Sequence, residues 1–444
     1  MPDLGDLCRT AVEATAGDEQ VEAFAEERTT TEVEALRGEV EGLTFAESRG
    51  VGIRVISGGR LGFAYAADPS LDEVREAVAR ARENASLASE DPFNALPDAR
   101  PFEPVDGLFS ESLAAMTTEE KVPIALGMER LATTSDPRVT KTESVRYGDI
   151  VGRVAIASTT GVVAEDRGTG CWCAAVTLAQ QDGDTQTGFS FRVGHRLDDL
   201  DPDGVAREAV ERAARLLGAT KPETARVPAV LDPVAASAFL GVLSGGLSAE
   251  AVQKQRSLFA SLVGEQVASG ALTLVDDGRL LAGPAAAPFD GEGVPTRRTE
   301  LISSGVLNGF LHNTYTALRG DTSSTGNATR GYRSTPGVGT TNLFVEPGAS
   351  SLDDLLRRAE GGVLIQDVTG VHSGANPISG EFSVGATGLR IAGGALGGPV
   401  REMTVASTIP EMLRGIQAVG DTTRWFSTVG TPPILIAEVT LGGR

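Results

Sequence analysis

A chain of 444 residues, 41% hydrophobic and 22% charged, has the composition of a folded globular protein and is long enough to bury two cores rather than one. Its formal net charge of −21 argues against a surface built to neutralise a phosphate backbone, so no nucleic-acid partner is expected. Three cysteines, Cys8, Cys171 and Cys173, are too few and too badly spaced for a disulfide framework.

Residues Met1 to Asp6 lack both the basic start and the apolar run of a secretory signal, and no apolar stretch reaches membrane-spanning length. A cytoplasmic location without membrane contact is therefore expected. The spacing predicts a helix from Asp3 to Ala16. Residues 21–27 and 29–36 mix alternation with helix formers and leave strand and helix open. Leu43 to Ile56 alternates and ends at Ser57-Gly58-Gly59-Arg60, a hairpin signal, with Leu61 to Ala66 as the return strand. Ser70 stands where it can cap a helix running to about Ala88, whose apolar face carries Leu71, Val74, Ala77 and Val78.

Four prolines between Asp91 and Pro104 predict a linker or long surface loop. A second helix is expected from Thr117 to Ser135, with Glu119 and Glu120 in the first turn where the dipole favours anions. Strands are expected at 139–146, 149–158 and 162–166, with Thr159-Thr160-Gly161 as the turn between the last two. Cys171 and Cys173 share one face of the next strand; two thiols cannot complete a four-ligand zinc centre, so a buried strand is the reading. Pro202 to Leu217 reads as an amphipathic helix. The stretch 221–228 then divides the chain into domains 1–222 and 223–444, and a short strand from Ala229 leads into a helix from Val234 to Leu243.

Beyond it, Asp276-Asp277-Gly278 and Ser303-Ser304-Gly305 lie between apolar runs, where Asp and Ser bond their own backbone and Gly supplies positive φ. The runs Thr299–Ile302 and Val306–Leu311 would pair across the second turn. Asp290-Gly291-Glu292-Gly293 places two glycines around one carboxylate, a loop that holds only if something packs on it. It reads either as an acidic surface turn or as the lining of a cleft.

Four strings, VDDG at 275–278, FDGEGVPTRRTELI at 289–302, SGVLNGFLHNTYTA at 304–317 and STGNA at 324–328, resemble the TldD/PmbA family of bacterial peptidase proteins. VGTTNLFVEPG at 338–348, GANPISGEFS at 374–383, GATG at 385–388 and PVREMT at 399–404 extend the resemblance. The strand ESRGVGIRV at 47–55, with its hairpin and helix, resembles the family's N-terminal domain. The fold expected is α+β: an N-terminal α/β-type domain with a mixed sheet and helices, then a C-terminal domain dominated by antiparallel, barrel-like sheet.

Catalytic members of the family carry HExxxH on a helix, two histidines binding zinc and the glutamate acting as base, and a late cysteine completes the shell. The corresponding positions here are 240–245, with Leu240, Gly241 and Gly245 in place of donors, and no cysteine follows Cys173. The resemblance thus implies a TldE (PmbA)-type chain with no catalytic residue or cofactor of its own. It would pair with a TldD-type zinc metallopeptidase that supplies the zinc, and wall a cleft for unfolded peptide. Asp290, Glu292, Arg297, His312, Asn327, His372, Asn376 and Glu381 are the expected cleft residues.

Of the three histidines, His195 precedes an acidic stretch and reads as a surface residue. His312 is expected to be held by hydrogen bonds. His372 sits in a glycine-rich loop beside Ser373, where adjacent side chains point apart and do not form a nucleophile and base. Two other functions fit the same residues: a homodimeric, chaperone-like peptide binder without peptidase activity, and a protein recruited to peptide maturation.

Overall fold

The computed structural model describes residues 1–443. Its first half is built on six long strands, β1 (Gln20–Leu36), β2 (Glu39–Ser57), β3 (Arg60–Ala67), β4 (Val139–Ser158), β5 (Val163–Gln181) and β6 (Asp184–Gly194), in the order β3-β2-β1-β4-β5-β6. Every pairing in this sheet is antiparallel. The ambiguous segment 21–36 is β1, held as a strand by partners on both sides. The strands expected at 139–146 and 149–158 are one strand, β4, and the 162–166 segment continues through Cys171 and Cys173 as β5.

Side chains alternate across this sheet, which gives its faces different tasks. Odd-numbered residues of β1 face helices. Val21, Ala23 and Ala25 pack with α1 (Leu4–Glu13) and α2 (Leu71–Leu87), the latter capped by Ser70. Val33 and Ala35 join a core containing Leu113 of the short α3 (Glu111–Ala114) and residues of α4 (Thr118–Ser135) and α5 (Pro202–Ala214). The even-numbered face carries Glu22 and Phe24, directly across from Arg54 of β2 and Ile156 of β4, and this face meets the second half of the chain.

The second half contains β7 (Ala225–Leu231), α6 (Pro233–Gly246), β8 (Leu274–Asp277), β9 (Arg298–Ser303), β10 (Val306–Leu307), β11 (Ala328–Thr329), β12 (Gly337–Val338) and β13 (Leu343–Val345). It ends with β14 (Val363–Thr369), β15 (Glu381–Ala392), β16 (Ala395–Thr408), β17 (Ile416–Val419), β18 (Arg424–Phe426), β19 (Val429–Thr431) and β20 (Ile434–Gly442). Strands β16-β15-β14-β7-β20 close into a barrel through pairing of Thr404–Ala406 with Thr440–Gly442, and β17 adds to β20. A second sheet runs β10-β9-β8-β13-β19-β18, and β11 pairs with β12 alone.

The α+β class and the barrel-like second half are as expected, whereas mixed pairing occurs in the second half, not the first: β7–β14 and β13–β19 are parallel. Helix α6 inserts Phe239, Leu240 and Leu243 into the largest core, with Phe239 edge-on to Phe382 at 5.6 Å. Each such side chain contributes about 1.5–3 kcal/mol by leaving water. The helix starts where Asp232 accepts from the Val234 N–H and Pro233 fills the first turn. Asp232 also receives both terminal nitrogens of Arg212 from α5 at 3.1 Å, so one carboxylate starts a helix and ties the halves together.

Candidate functional site

The acidic loop 290–293 is enclosed, because the even face of the first sheet packs on it. Asp290 is 8% exposed and Glu292 1%. Glu292 accepts from Arg54 Nη1 at 2.9 Å and from the Thr314 N–H at 2.8 Å. Arg54 in turn forks onto Glu22, Nε and Nη2 each 2.7 Å from a carboxylate oxygen. Glu22 also takes Arg330 Nη1 at 2.6 Å. Glu292, Arg54, Glu22 and Arg330 thus form a chain of alternating charges in which every side chain is buried. Burial works to raise the Glu22 pKa, but Arg54 and Arg330 outweigh it and hold the carboxyl below its ordinary value.

Asp290 lies beside this network without a cation of its own. Its oxygens accept from the N–H groups of Glu292, Val294 and Ala328 at 2.9–3.0 Å. Burial, and next the charge of Glu292, nevertheless push its pKa up to about 7. A parallel arrangement holds the next turn. Buried Asp276 accepts from Asn327 Nδ2 at 2.7 Å and from the N–H and hydroxyl of Thr341 at 2.7 and 2.8 Å, and burial raises its pKa as well.

Between the even face of the first sheet and these loops lies a cavity of about 480 Å³. Its apolar wall includes Phe24, Ile150, Val154 and Phe289, and its polar residues include Arg28 and Asp290, while the Arg330 side chain behind it is fully enclosed. Among the eight expected cleft residues only Asp290 lines it. Glu292 and Asn327 are buried in the hydrogen-bonded lattice beneath, where Asn327 also donates to the Gly339 carbonyl at 3.1 Å. Arg297 is exposed and His312 half-buried; burial lowers the His312 pKa, and Arg297 adds to the shift. His372, Asn376 and Glu381 lie exposed on a separate segment, in a one-turn helix (Val371–Gly374), the turn after it and the first position of β15, and Asn376 Oδ1 accepts from the Ile378 and Ser379 N–H groups and fixes the turn.

His195 is not a surface residue. It is 6% exposed, its ring nitrogens lie 3.1 Å from the carbonyls of Thr169 and Gly283, and it lines the cavity. The acidic stretch after it stays exposed, but Asp199 bends back to accept from the His195 and Arg196 N–H groups at 2.9 Å and fixes the backbone that carries the ring inward. Arg330, Phe24 and Arg54 escaped the sequence reading. Glu22 and Phe24 share a face of β1 and Arg54 stands across from Glu22 on β2, a register given by the structure, which also brings Arg330 against them.

Positions 240, 241 and 245 lie on α6. Leu240 points into the core, while Gly241 and Gly245 are exposed with open space around them.

Three family models match in succession: PmbA/TldA metallopeptidase domain 1 at residues 21–85, the central domain at 111–217 and the C-terminal domain at 224–443. The chain belongs to the PmbA/TldD family. It is 26% identical to the metalloprotease PmbA of Escherichia coli O157:H7 over 446 residues, covering 99% of this chain and 96% of that one. It is 28% identical to a metalloprotease TldD homologue of Haemophilus influenzae over 90% of this chain and 88% of the relative. The crystal structure of TldE from Thermococcus kodakarensis superposes with a TM-score of 0.91 at 25% identity, covering 99% of both chains.

A metallopeptidase family implies a metal, and the residues of this chain do not fit one at the expected helix. Leu240 offers only hydrocarbon and the two glycines offer no side chain. Among the described residues, no three His, Cys, Asp or Glu side chains gather where they could hold an ion.

Proposed function

We propose that this chain is the TldE-type subunit of a TldD/TldE-type metallopeptidase, walling the cleft for unfolded peptides while a TldD-type partner provides the zinc, its activated water and the general base. The observation that carries this is α6: the helix is intact and well packed, yet donor atoms are replaced at all three positions 240, 241 and 245. Likeness to TldE along the whole chain supports it.

Backbone pairing suits an unfolded substrate, because it grips any extended chain with little side-chain selection. The outer edge of β2 from Glu39 to Ser48 supports this mode. β3 pairs only with residues 50–57, so among the described residues this ten-residue edge has no strand beside it. Leu43 and Phe45 flank it, 51% and 58% exposed. His372, Asn376 and Glu381, on their exposed segment, are the side chains proposed to meet substrate. Among the described residues no helix is long and apolar enough to cross a membrane, and the complex is proposed to act in the cytoplasm. The peptide is cut for degradation or for maturation.

The test is co-expression of the tagged chain with a histidine-bearing TldD homologue from the same cell. Stoichiometric co-purification is the expected result. Recovery of the chain only as a self-associated dimer would replace this reading with the homodimeric peptide binder.

A further inference from the structure

Across 39–48, the outer part of β2, every residue but Gly42 is exposed, and β3 pairs with that side of the strand only from residue 50 onward. Such an edge is ordinarily blunted by lysine, by proline or by an element laid over it. This one contains neither lysine nor proline. Leu43 and Phe45 stand directly beside Val33 and Thr31 of β1, so they continue the face that β1 buries beneath α4, but they are themselves open to solvent. Glu41 and Glu47 flank the two apolar residues and Glu39 lies just before them. All three are exposed, and none makes an ion pair among the described residues. From 41 to 47 the edge thus reads Glu-x-Leu-x-Phe-x-Glu, apolar at its centre and acidic at both ends.

A second copy of the chain does not suit this edge. Antiparallel pairing that sets Leu43 against Phe45 brings Glu41 to Glu47, and pairing that sets Leu43 against its own copy brings Glu39 to Glu47. Like charges across a ladder destabilise it, whereas a strand with cations at those places turns the repulsions into attractions. We infer that this edge takes extended peptides with two apolar side chains two residues apart and a lysine or arginine two residues outside each. The peptide lies in line with β3 as an added strand on the backbone groups that β1 leaves free, its apolar pair on Leu43 and Phe45 and its cations near Glu41 and Glu47. Between them stand Gly42, Thr44 and Ala46, too small to select the intervening residues. Such selection rests on the reading of this chain as a wall for unfolded peptide, and names the sequences that wall prefers.

The test is ligand-observed NMR titration of the full chain at low ionic strength with three capped peptides, KTVTVTK, ETVTVTE and KTSTSTK, palindromes that fit in either strand direction. The first is expected to bind with a Kd of about 1 mM, as a short flexible peptide ordered on binding should. The acidic peptide and the serine peptide should each bind about tenfold more weakly. Glu41→Lys combined with Glu47→Lys alters two exposed, unpaired side chains, so thermal unfolding should stay near wild type while the preference reverses to the acidic peptide. General attraction of cations by the net charge of −21 would survive that change. A cationic preference kept by the doubly substituted chain, equal binding of the three peptides, or no binding of KTVTVTK at ten times the expected constant would each overturn the inference. So would a dimer in sedimentation velocity that Phe45→Asp dissociates, which gives the edge to a second copy. A complex with the histidine-bearing homologue that assembles and cleaves, yet fails these titrations, overturns this inference alone. Failure to assemble with the peptide preference intact strikes only the subunit reading.

Discussion

Glu292→Gln should be far more damaging than its place in a glycine-rich loop suggests. The substitution keeps the shape and removes one charge from a network of two guanidiniums and two carboxylates. Arg54, at 2.9 Å from Glu292, and Arg330 would then share Glu22 alone. At an effective dielectric near 20, two unit charges about 4 Å apart interact by about 4 kcal/mol. Breaking a buried pair from one side commonly costs about 3–5 kcal/mol, against about 0–1 kcal/mol for an exposed pair such as Arg146–Glu34. Asp290 moderates this loss. The charge of Glu292 helps keep its carboxyl protonated, so removing that charge lets Asp290 ionise and replace part of the missing negative charge. Urea unfolding at pH 7, followed by the fluorescence of Trp172 and Trp425, should therefore show a large fall in midpoint for Glu292→Gln. The fall should be larger still in an Asp290→Asn background, where no replacement charge exists. A loss below about 1 kcal/mol, or strict additivity of the two substitutions, would refute the electrostatic reasoning.

Asp290 also sets a pH dependence of its own. Its folded pKa lies above its ordinary value, so its contribution is fully present below about pH 4 and is lost as pH rises through about 7; Asp290→Asn should flatten the stability profile across pH 5–7. Glu22 has the opposite sign, its stabilisation being present above its ordinary pKa and lost on acidification, which Glu22→Gln should abolish in an acid titration followed by circular dichroism. Gly293 has φ +76° and a Cβ there would lie 2.5 Å from Val162 Cγ1, so Gly293→Ala should cost about 1–3 kcal/mol in thermal or urea unfolding. Asn327→Ala leaves the buried Asp276 short of one donor and should cost about 1–3 kcal/mol; a neutral outcome would mean that water replaces the amide.

Much of the framework was legible because local chemistry and tertiary structure agree. Ser70 caps the helix it precedes, and the hairpin at Ser57–Arg60 follows from its glycines. The failures arose where a distant partner overrode a local signal. Tyr147-Gly148 looked like a break in β4, but Gly148 is within the strand and makes room for the Trp172 ring across from it on β5. The segment 21–36 carries glutamates and alanines that favour helix, yet two neighbouring strands and alternate burial fix it as β1. His195 was misread because acidic neighbours suggest solvent, whereas Asp199 bonds backbone N–H groups and the imidazole closes the gap to Gly283. The buried lattice around Asp290 was legible as an unusual loop but not as a network. Its cations, Arg54 and Arg330, lie far from it in sequence or on the other side of a turn, and no spacing rule links them.

The helix at 240–245 is retained, but Leu240, Gly241 and Gly245 offer no side-chain donor to a metal, and on this the proposed TldE-type role rests. Its most direct test is to purify the chain alone in zinc-containing medium, measure bound metal by mass spectrometry and assay cleavage of an unfolded peptide, then repeat with the histidine-bearing homologue added. The account predicts substoichiometric zinc and no cleavage from the chain alone, with cleavage appearing in the mixture. One tightly held zinc per chain together with cleavage by the isolated protein would contradict it.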